Sequence, residues 1–526
     1  MKIRTSWQVK PVLTGMLCVL LAGCGSTTDG LGGDSAEITV GTTDEVLSTD
    51  PASGYDPGSW MLFNNVFQSL LSFPDGSTEP EPDAAESCSF IDTNTRIYRC
   101  RLRDGLKFSN DDALTAEDVK FSFDRMLKIH DAAGPSPLFE NLDRVETPDD
   151  KTVIFRLGSP DATFPSKIAS GAGSIVDHNE YEPGKLEKNG HVVGSGPYTL
   201  DSFDPKGAYL SANTKYKGLD RLSNSHVALK FFHGNQGALK SQILSGDVDI
   251  AYRGLSASDI AEVSKPGENN HVDVVEGDST EVQHLVFNMK DPVAGNIGVR
   301  QAMAYLIDRF ALVKDIYHDT VTPLYSIIPA GILGHTSTFD NTYGSEPSVA
   351  KAKSALRAAG FQNTVKLTLW STPSRYGPAT DAEMEMIAKQ LNDSGLFDAE
   401  VKSVAFERYA KDISAGKYGV YVKGWLPDYP DAENFTAPFF GRGNVLENNY
   451  ASETITHRLI PHAAAEVNRS ATVEDYEKLQ NIVAEQLPIL PIWQAKGYLV
   501  VRDGIHGYEY CLDPSTIFRF WELNKI

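Results

Sequence analysis

The chain has 526 residues, of which 70 are acidic and 48 are Lys or Arg, giving a formal charge of −22. With no run of Lys or Arg it lacks the basic footprint needed to hold a phosphate backbone, so nucleic acid is excluded as a partner and the acidity mainly favours solubility. The length exceeds what one hydrophobic core normally serves, and two or three domains are expected.

The first element is an export signal. Lys2, Arg4 and Lys10 precede an apolar run over residues 12–22 that ends in Leu21-Ala22-Gly23-Cys24. A basic start, a short apolar stretch and small residues at the cut site are what secretion requires, whereas spanning a bilayer takes roughly 20 apolar residues. Residues 1–23 therefore read as a cleaved signal peptide. Cys24, just after Ala22-Gly23, resembles the lipobox cysteine of bacterial lipoproteins. That resemblance implies lipid on Cys24, a mature chain beginning there, and an extracytoplasmic place on the cell membrane or in the periplasm. Removing residues 1–23 takes away three positive charges and no negative ones, which brings the formal charge to −25. Residues 24–37, rich in Gly, Ser, Thr and Asp, have almost nothing to bury and read as a flexible tether, with the folded body starting near Ile38.

Cys18 leaves with the signal and Cys24 takes lipid, so Cys88, Cys100 and Cys511 remain. Cys88 and Cys100 flank two strand-like runs around the turn-forming Asp92-Thr93-Asn94. A hairpin brings the two thiols face to face, and an oxidising compartment favours a disulfide between them. Metal binding fits less well, since the spacing is not CxxC and no His cluster lies nearby. Thr115 to Asp118 reads as a capping box that opens a helix with Val119, Phe123, Met126 and Leu127 on one face. Val299, Met303, Leu306, Ile307 and Phe310 form another amphipathic face. Thr380 with Glu383 opens a helix that turns Met384, Ile387 and Leu391 inward and stops near Gly395; Thr472 with Asp475 opens one that Pro488 ends. β-like runs lie at 38–40, 272–275, 284–287 and 365–369, which makes the class mixed α/β.

The sequence motifs of common catalysts, HExxH, GxSxG, a phosphate loop or a helix-opening GxGxxG, are absent. His178, His191, His226 and His233 are scattered and read as solvent or loop residues, and pairs such as Asp111-Asp112 and Asp149-Asp150 are ordinary in so acidic a chain. Catalysis is unsupported rather than excluded, and no catalytic residue, metal or cofactor is assigned.

Seven blocks run in order at 101–109, 114–123, 193–198, 285–288, 299–309, 424–435 and 490–493. They include Arg103-Asp104-Gly105, Gly194-Ser195-Gly196-Pro197, Gly424-Trp425-Leu426-Pro427-Asp428 and Leu490-Pro491-Ile492-Trp493. Together they resemble the extracytoplasmic solute-binding proteins of ABC importers, in the family 5 group with dipeptide-, oligopeptide- and nickel-binding members. The resemblance implies a periplasmic-binding-protein-like bilobal α/β fold (type II, cluster C) with an extra domain and a ligand cleft between two lobes joined by a hinge. It divides the chain into domain I at 38–78, 194–286 and 492–526, domain II at 79–193 and domain III at 287–491, with ligand between I and III. Gly194 and Gly196 are free to take positive φ before Pro197, and this segment lies where the family's chain crosses between lobes; it reads as a structural turn, with a hinge as the alternative.

The same resemblance implies a monomeric, non-enzymatic receptor that captures di- to oligopeptides and delivers them to a membrane permease with its ATPase subunits. In peptide-binding relatives the strand matching Gly424, Trp425 and Leu426 pairs with the ligand backbone, and the acid matching Asp428 holds its α-ammonium. That charge cannot be buried without a counter-charge, while main-chain pairing tolerates many side chains. Arg375 resembles the arginine that grips the ligand carboxylate in dipeptide-binding relatives, where a planar fork donates two bonds. Facing the cleft, it favours short peptides; pointing away, it leaves room for longer peptides or other solutes. Tyr376 and Trp493 are expected to line side-chain pockets or to be core. One alternative is a same-family binder of a metal chelate, haem or oligosaccharide, and another is a secreted, lipid-tethered hydrolase.

Overall fold

The computed structural model describes residues 36–265, 271–377 and 379–526. The signal segment 1–23, Cys24 and the tether up to residue 35 lie outside the described residues.

Apolar, β-branched runs at Ile38–Thr42, His226–Phe231 and Ile250–Tyr252 make parallel neighbours at the centre of an eleven-stranded mixed sheet. On one side the sheet continues through Gly207–Ala212 to Tyr198–Asp204. On the other it passes through two long antiparallel strands, Ile489–Arg502 and Val272–Phe287, to Val420–Trp425, Val365–Ser371 and Phe397–Ser403. The runs at 272–275 and 284–287 are thus two ends of one strand, because Asp278 to Gln283 between them also extends.

Those two long strands join the lobes of a bilobal fold. The start of Val272–Phe287 pairs with the end of Ile489–Arg502, whose Leu499 to Val501 also pair with Ile250–Tyr252, while the end of Val272–Phe287 pairs with the start of Ile489–Arg502 and with Val420–Trp425. The register shifts between Asp278 and Val282 and again between Gln283 and His284, so the ladder is interrupted where the chain leaves one lobe for the other. One hydrophobic core gathers residues from 38 to 252 and from 499 to 523, together with Tyr429; a second lies within 285–493. In the first, Phe123, Phe139, Phe155 and Phe164 meet edge to face, a preferred aromatic geometry.

Apart from that sheet, Ala85–Phe90, Ile97–Leu102, Thr152–Leu157 and Leu142–Asp149 form a four-stranded antiparallel sheet. Asp92 Oδ1 accepts from the amides of Arg96 (3.2 Å) and Ile97 (3.0 Å), which shapes the hairpin turn, and a disulfide joins Cys88 to Cys100 across the pair. The helix Ala116–Ile129 packs on this sheet; Asp118 Oδ2 accepts from the Thr115 amide at 2.8 Å, closing the capping box, and Val119, Phe123 and Met126 are buried.

Several local expectations need correction. Phe310 is 53% exposed, because the helix Ile297–Leu306 ends at Ile307 and Asp308 caps a new helix, Arg309–Asp315, rotated off the apolar face. Thr472 donates to the Arg469 carbonyl at 2.6 Å and Asp475 binds His462, so Val473–Gln486 starts without a capping box. Glu383 caps nothing: it lies inside the helix Ala379–Asp393 with its carboxylate buried among side chains. Neither Gly194 nor Gly196 has positive φ. They are glycine because a Cβ would lie 2.0 Å from the Val66 carbonyl oxygen and 2.6 Å from that of Phe67, respectively. That segment is a packed turn, and the strands that run through both cores are the two long ones.

Candidate ligand-binding site

Two adjoining cavities occupy the cleft and share Tyr252, Arg253, Leu426 and Thr516 as walls. One, of about 240 Å³, takes Tyr55 and Trp60 from the first lobe and Arg375, Gly424, Trp425 and Asp428 from the second. The other, of about 350 Å³, lies against the crossing strands at Asp278 to Glu281 and at Ala495 to Tyr498.

Asp428 sits on the loop that leaves the strand Val420–Trp425. Buried Asn434, in the short turn of helix Ala432–Phe435, folds this loop back: its Oδ1 accepts from the Asp428 amide (3.0 Å) and Trp425 Nε1 (3.1 Å), and its Nδ2 donates to Asp428 Oδ2 (3.1 Å). From the other lobe the Tyr55 hydroxyl donates to Asp428 Oδ1 at 2.8 Å. Burial raises the Asp428 carboxyl above its ordinary range, against the pull of the Tyr55 and Asn434 bonds and of Lys167 nearby. Lys167 is itself committed to Asp161 at 2.8 Å. The cleft thus holds a desolvated acid whose direct partners are neutral, which is an environment that draws a cation.

Arg375 lies on a one-turn helix, Pro373–Tyr376, opened by a proline and closed by Gly377, whose φ of 93° only glycine adopts freely. Its guanidinium sits 5.4 Å from the Phe406 ring, is exposed, and has no carboxylate partner among the described residues. Gly424 lets the Tyr376 ring lie on the strand, since a Cβ there would be 3.0 Å from that ring.

Of the residues read from the sequence, Gly424, Trp425, Leu426, Asp428 and Arg375 come together around the smaller cavity. Tyr376 and Trp493 line neither cavity. Tyr376 packs on Gly424, and Trp493, 6% exposed, donates to Glu383 at 2.9 Å because its strand turns it into the second core. Tyr55, Asn434 and Arg253 carry no sequence signal of a site; Asn434 alone falls inside a family-like block. Cys511 is buried, donates weakly to the Arg519 carbonyl, and has its thiol pushed up to about 12 by burial, so it is unreactive. Asp118, Asp177 and His178 approach one another closely, but both Asp118 oxygens already accept protein donors from Thr115 and His178.

A two-lobed α/β body with a cleft between lobes and a desolvated acid in it defines a solute-binding protein. Residues 79–447 match the family described as bacterial extracellular solute-binding proteins, family 5 Middle, and the chain belongs to that family. It is 26% identical over 505 residues to the dipeptide-binding protein of Escherichia coli K12, covering 88% of each chain. It is 27% identical over 492 residues to heme-binding protein A of Haemophilus influenzae, covering 87% of this chain and 86% of that one. The structure of the Helicobacter pylori ABC transporter-associated periplasmic binding protein DppA in complex with the peptide STSA has the same fold, with a TM-score of 0.77, 22% identity, and coverage of 93% of this chain and 98% of that one. These relatives are named as binding proteins. Among the described residues no helix is long and apolar enough to cross a membrane.

Proposed function

We propose that this chain is the lipid-anchored receptor of an ABC importer and that it captures short peptides. One observation carries the reading: Asp428 and Arg375, an acid with neutral direct partners and a guanidinium without a carboxylate, are walls of one cavity of about 240 Å³. A short peptide brings an ammonium to the desolvated Asp428 and a carboxylate to the exposed Arg375, so both charges gain a counter-charge only when both ends are present. Gly424, Trp425 and Leu426 offer main-chain groups to the peptide backbone, which supplies affinity without reading side chains. The Tyr55 hydroxyl donates to one Asp428 oxygen, and the ammonium takes its place or shares it.

Domain I (38–78, 194–286, 492–526) and domain III (287–491) close on the peptide, while domain II (79–193) rides with domain I. A ligand that bridges both lobes favours the closed state by its differential affinity, and a permease with its ATPase subunits reads that state. Lipid on Cys24 and the tether behind it keep this monomeric receptor at the outer face of the membrane.

The test is native mass spectrometry of the full chain taken from its own membranes in detergent, followed by denaturation and identification of what is released. A set of dipeptides and tripeptides, with an acylated Cys24 as first residue, is expected. Release of a haem, a metal chelate or a sugar, or cleavage of an added peptide, would overturn the peptide reading.

A further inference from the structure

Glu383 is fully buried on the helix Ala379–Asp393, which begins just after the turn that carries Arg375. Three donors converge on one of its oxygens: Gln283 Nε2 at 2.6 Å, Trp493 Nε1 at 2.9 Å and the Tyr317 hydroxyl all reach Oε2. Its other oxygen, Oε1, is buried and has no partner among the described residues. A carboxylate that served only to satisfy donors would spread them over both oxygens, which together offer about four acceptor sites. Here a proton on Oε1 breaks no existing bond, so the site accommodates either charge state while its grip on the donors changes.

The donors tie the cleft together. Gln283 lies on one crossing strand and Trp493 on the other, facing each other in register at the second ladder break. On its opposite side Gln283 pairs with Gly424, and the Gln283 side chain and the Tyr376 ring flank that glycine. Tyr317, 5.2 Å from Trp493 between ring centres, completes the cluster. No cation faces Glu383 among the described residues. Tyr317 is the ionisable side chain that acts on it, with its hydroxyl held protonated by burial and by Glu383 itself; His284, next along the strand, turns to Phe439 on the other face. Burial pushes the Glu383 carboxyl up from 4.5 to about 7.

We propose that Glu383 is a positioning residue for ligand capture: ionised, it draws in Gln283, Tyr317 and Trp493 and fixes the strand Val420–Trp425 against the crossing strands, and protonated it holds them loosely, so the cleft binds less tightly. The ligand half of this inference rests on the peptide reading above; the strand half does not. Affinity therefore rises with pH through neutrality.

The test uses the full chain stripped of ligand, with the variants Glu383→Gln and Tyr317→Phe. Amide hydrogen exchange in Val420–Trp425, corrected for intrinsic rates, is expected to slow by about tenfold from about pH 6 to about pH 8 in the wild type and to stay level in Glu383→Gln. Tyr317→Phe removes a donor to the ionised form and moves the midpoint to higher pH. Parallel profiles in wild type and Glu383→Gln, or an unmoved midpoint in Tyr317→Phe, overturn the proposal, and the second variant decides alone if the first does not fold. An equimolar dipeptide pool, read by native mass spectrometry, is retained about threefold or more better by the wild type at the higher pH and equally at both by Glu383→Gln. A pool retained by no protein at any pH refutes the peptide reading, while the exchange profiles still decide the role of Glu383.

Discussion

At the scale of single residues the cleft is a matter of charges left waiting. Asp428 is held by neutral groups, Tyr55 and Asn434, and burial makes its ionised form costly until a cation arrives. Asp428→Asn keeps the shape and the Asn434 contact but removes the counter-charge. Its affinity for a dipeptide that the wild type binds is expected to fall by about 2–5 kcal/mol, measured by calorimetry, and an unchanged value would take Asp428 out of the site. On the proposed reading Arg375 sets length rather than capture. With Arg375→Ala, dipeptide binding drops while longer peptides keep most of their affinity, which competition between di- and pentapeptides reads directly; equal losses for both would assign Arg375 to general cleft shape. The motif around Gly424 to Asp428 made that wall of the cavity legible because it sits in one short segment. Tyr55 was not legible, since it meets Asp428 from 373 positions away and nothing in its own neighbourhood marks it.

At the scale of elements, local signals worked where one segment settles its own structure. The Thr115–Asp118 box needs only four consecutive residues, and the hairpin that joins Cys88 to Cys100 needs a turn and two flanking runs. That disulfide closes a short loop, so Cys88→Ser together with Cys100→Ser is expected to lower stability by about 3 kcal/mol in denaturant melts, with little effect on ligand affinity. Local signals failed where a distant element claimed the same side chain. Glu383 has the spacing of a capping residue, yet three donors from two strands and a loop recruit its carboxylate into the interior. Phe310 fits the helical face of Val299 and Met303, but a cap at Asp308 breaks the helix before it.

At the scale of the whole molecule two buried ionisable groups on or beside the crossing strands give stability an opposed pH dependence. His284 is fully buried with neither ring nitrogen bonded among the described residues, and burial pushes it down from 6.5 to about 3. The unfolded chain therefore binds an extra proton below pH 6.5, and the His284 contribution falls by up to about 1.4 kcal/mol per unit as pH drops. For global unfolding Glu383 works the other way: raised from 4.5 to about 7, it gives the folded state the extra proton between those values, so that contribution falls as pH rises, whereas loosening of the strand alone leaves the carboxyl buried and only takes its donors away. His284→Leu, which keeps an apolar side chain against Phe439, is expected to raise the urea midpoint much more at about pH 4 than at about pH 7. The same shift at both values would mean that His284 acts through packing alone.

The sequence by itself determined the α/β class, the family-like order of blocks, the capped helix at Ala116–Ile129, and the strip Gly424 to Asp428, because each is written in contiguous residues or in a regular period. Tertiary structure decided that the lobes join through Val272–Phe287 and Ile489–Arg502, that glycines 194 and 196 serve close packing, that Tyr55 reaches Asp428, and that Glu383 turns inward. Each of these depends on which surfaces meet after two cores have formed from segments hundreds of residues apart. The free energy of a buried charge or a close backbone approach is set by neighbours in space, and a one-dimensional pattern carries no record of them.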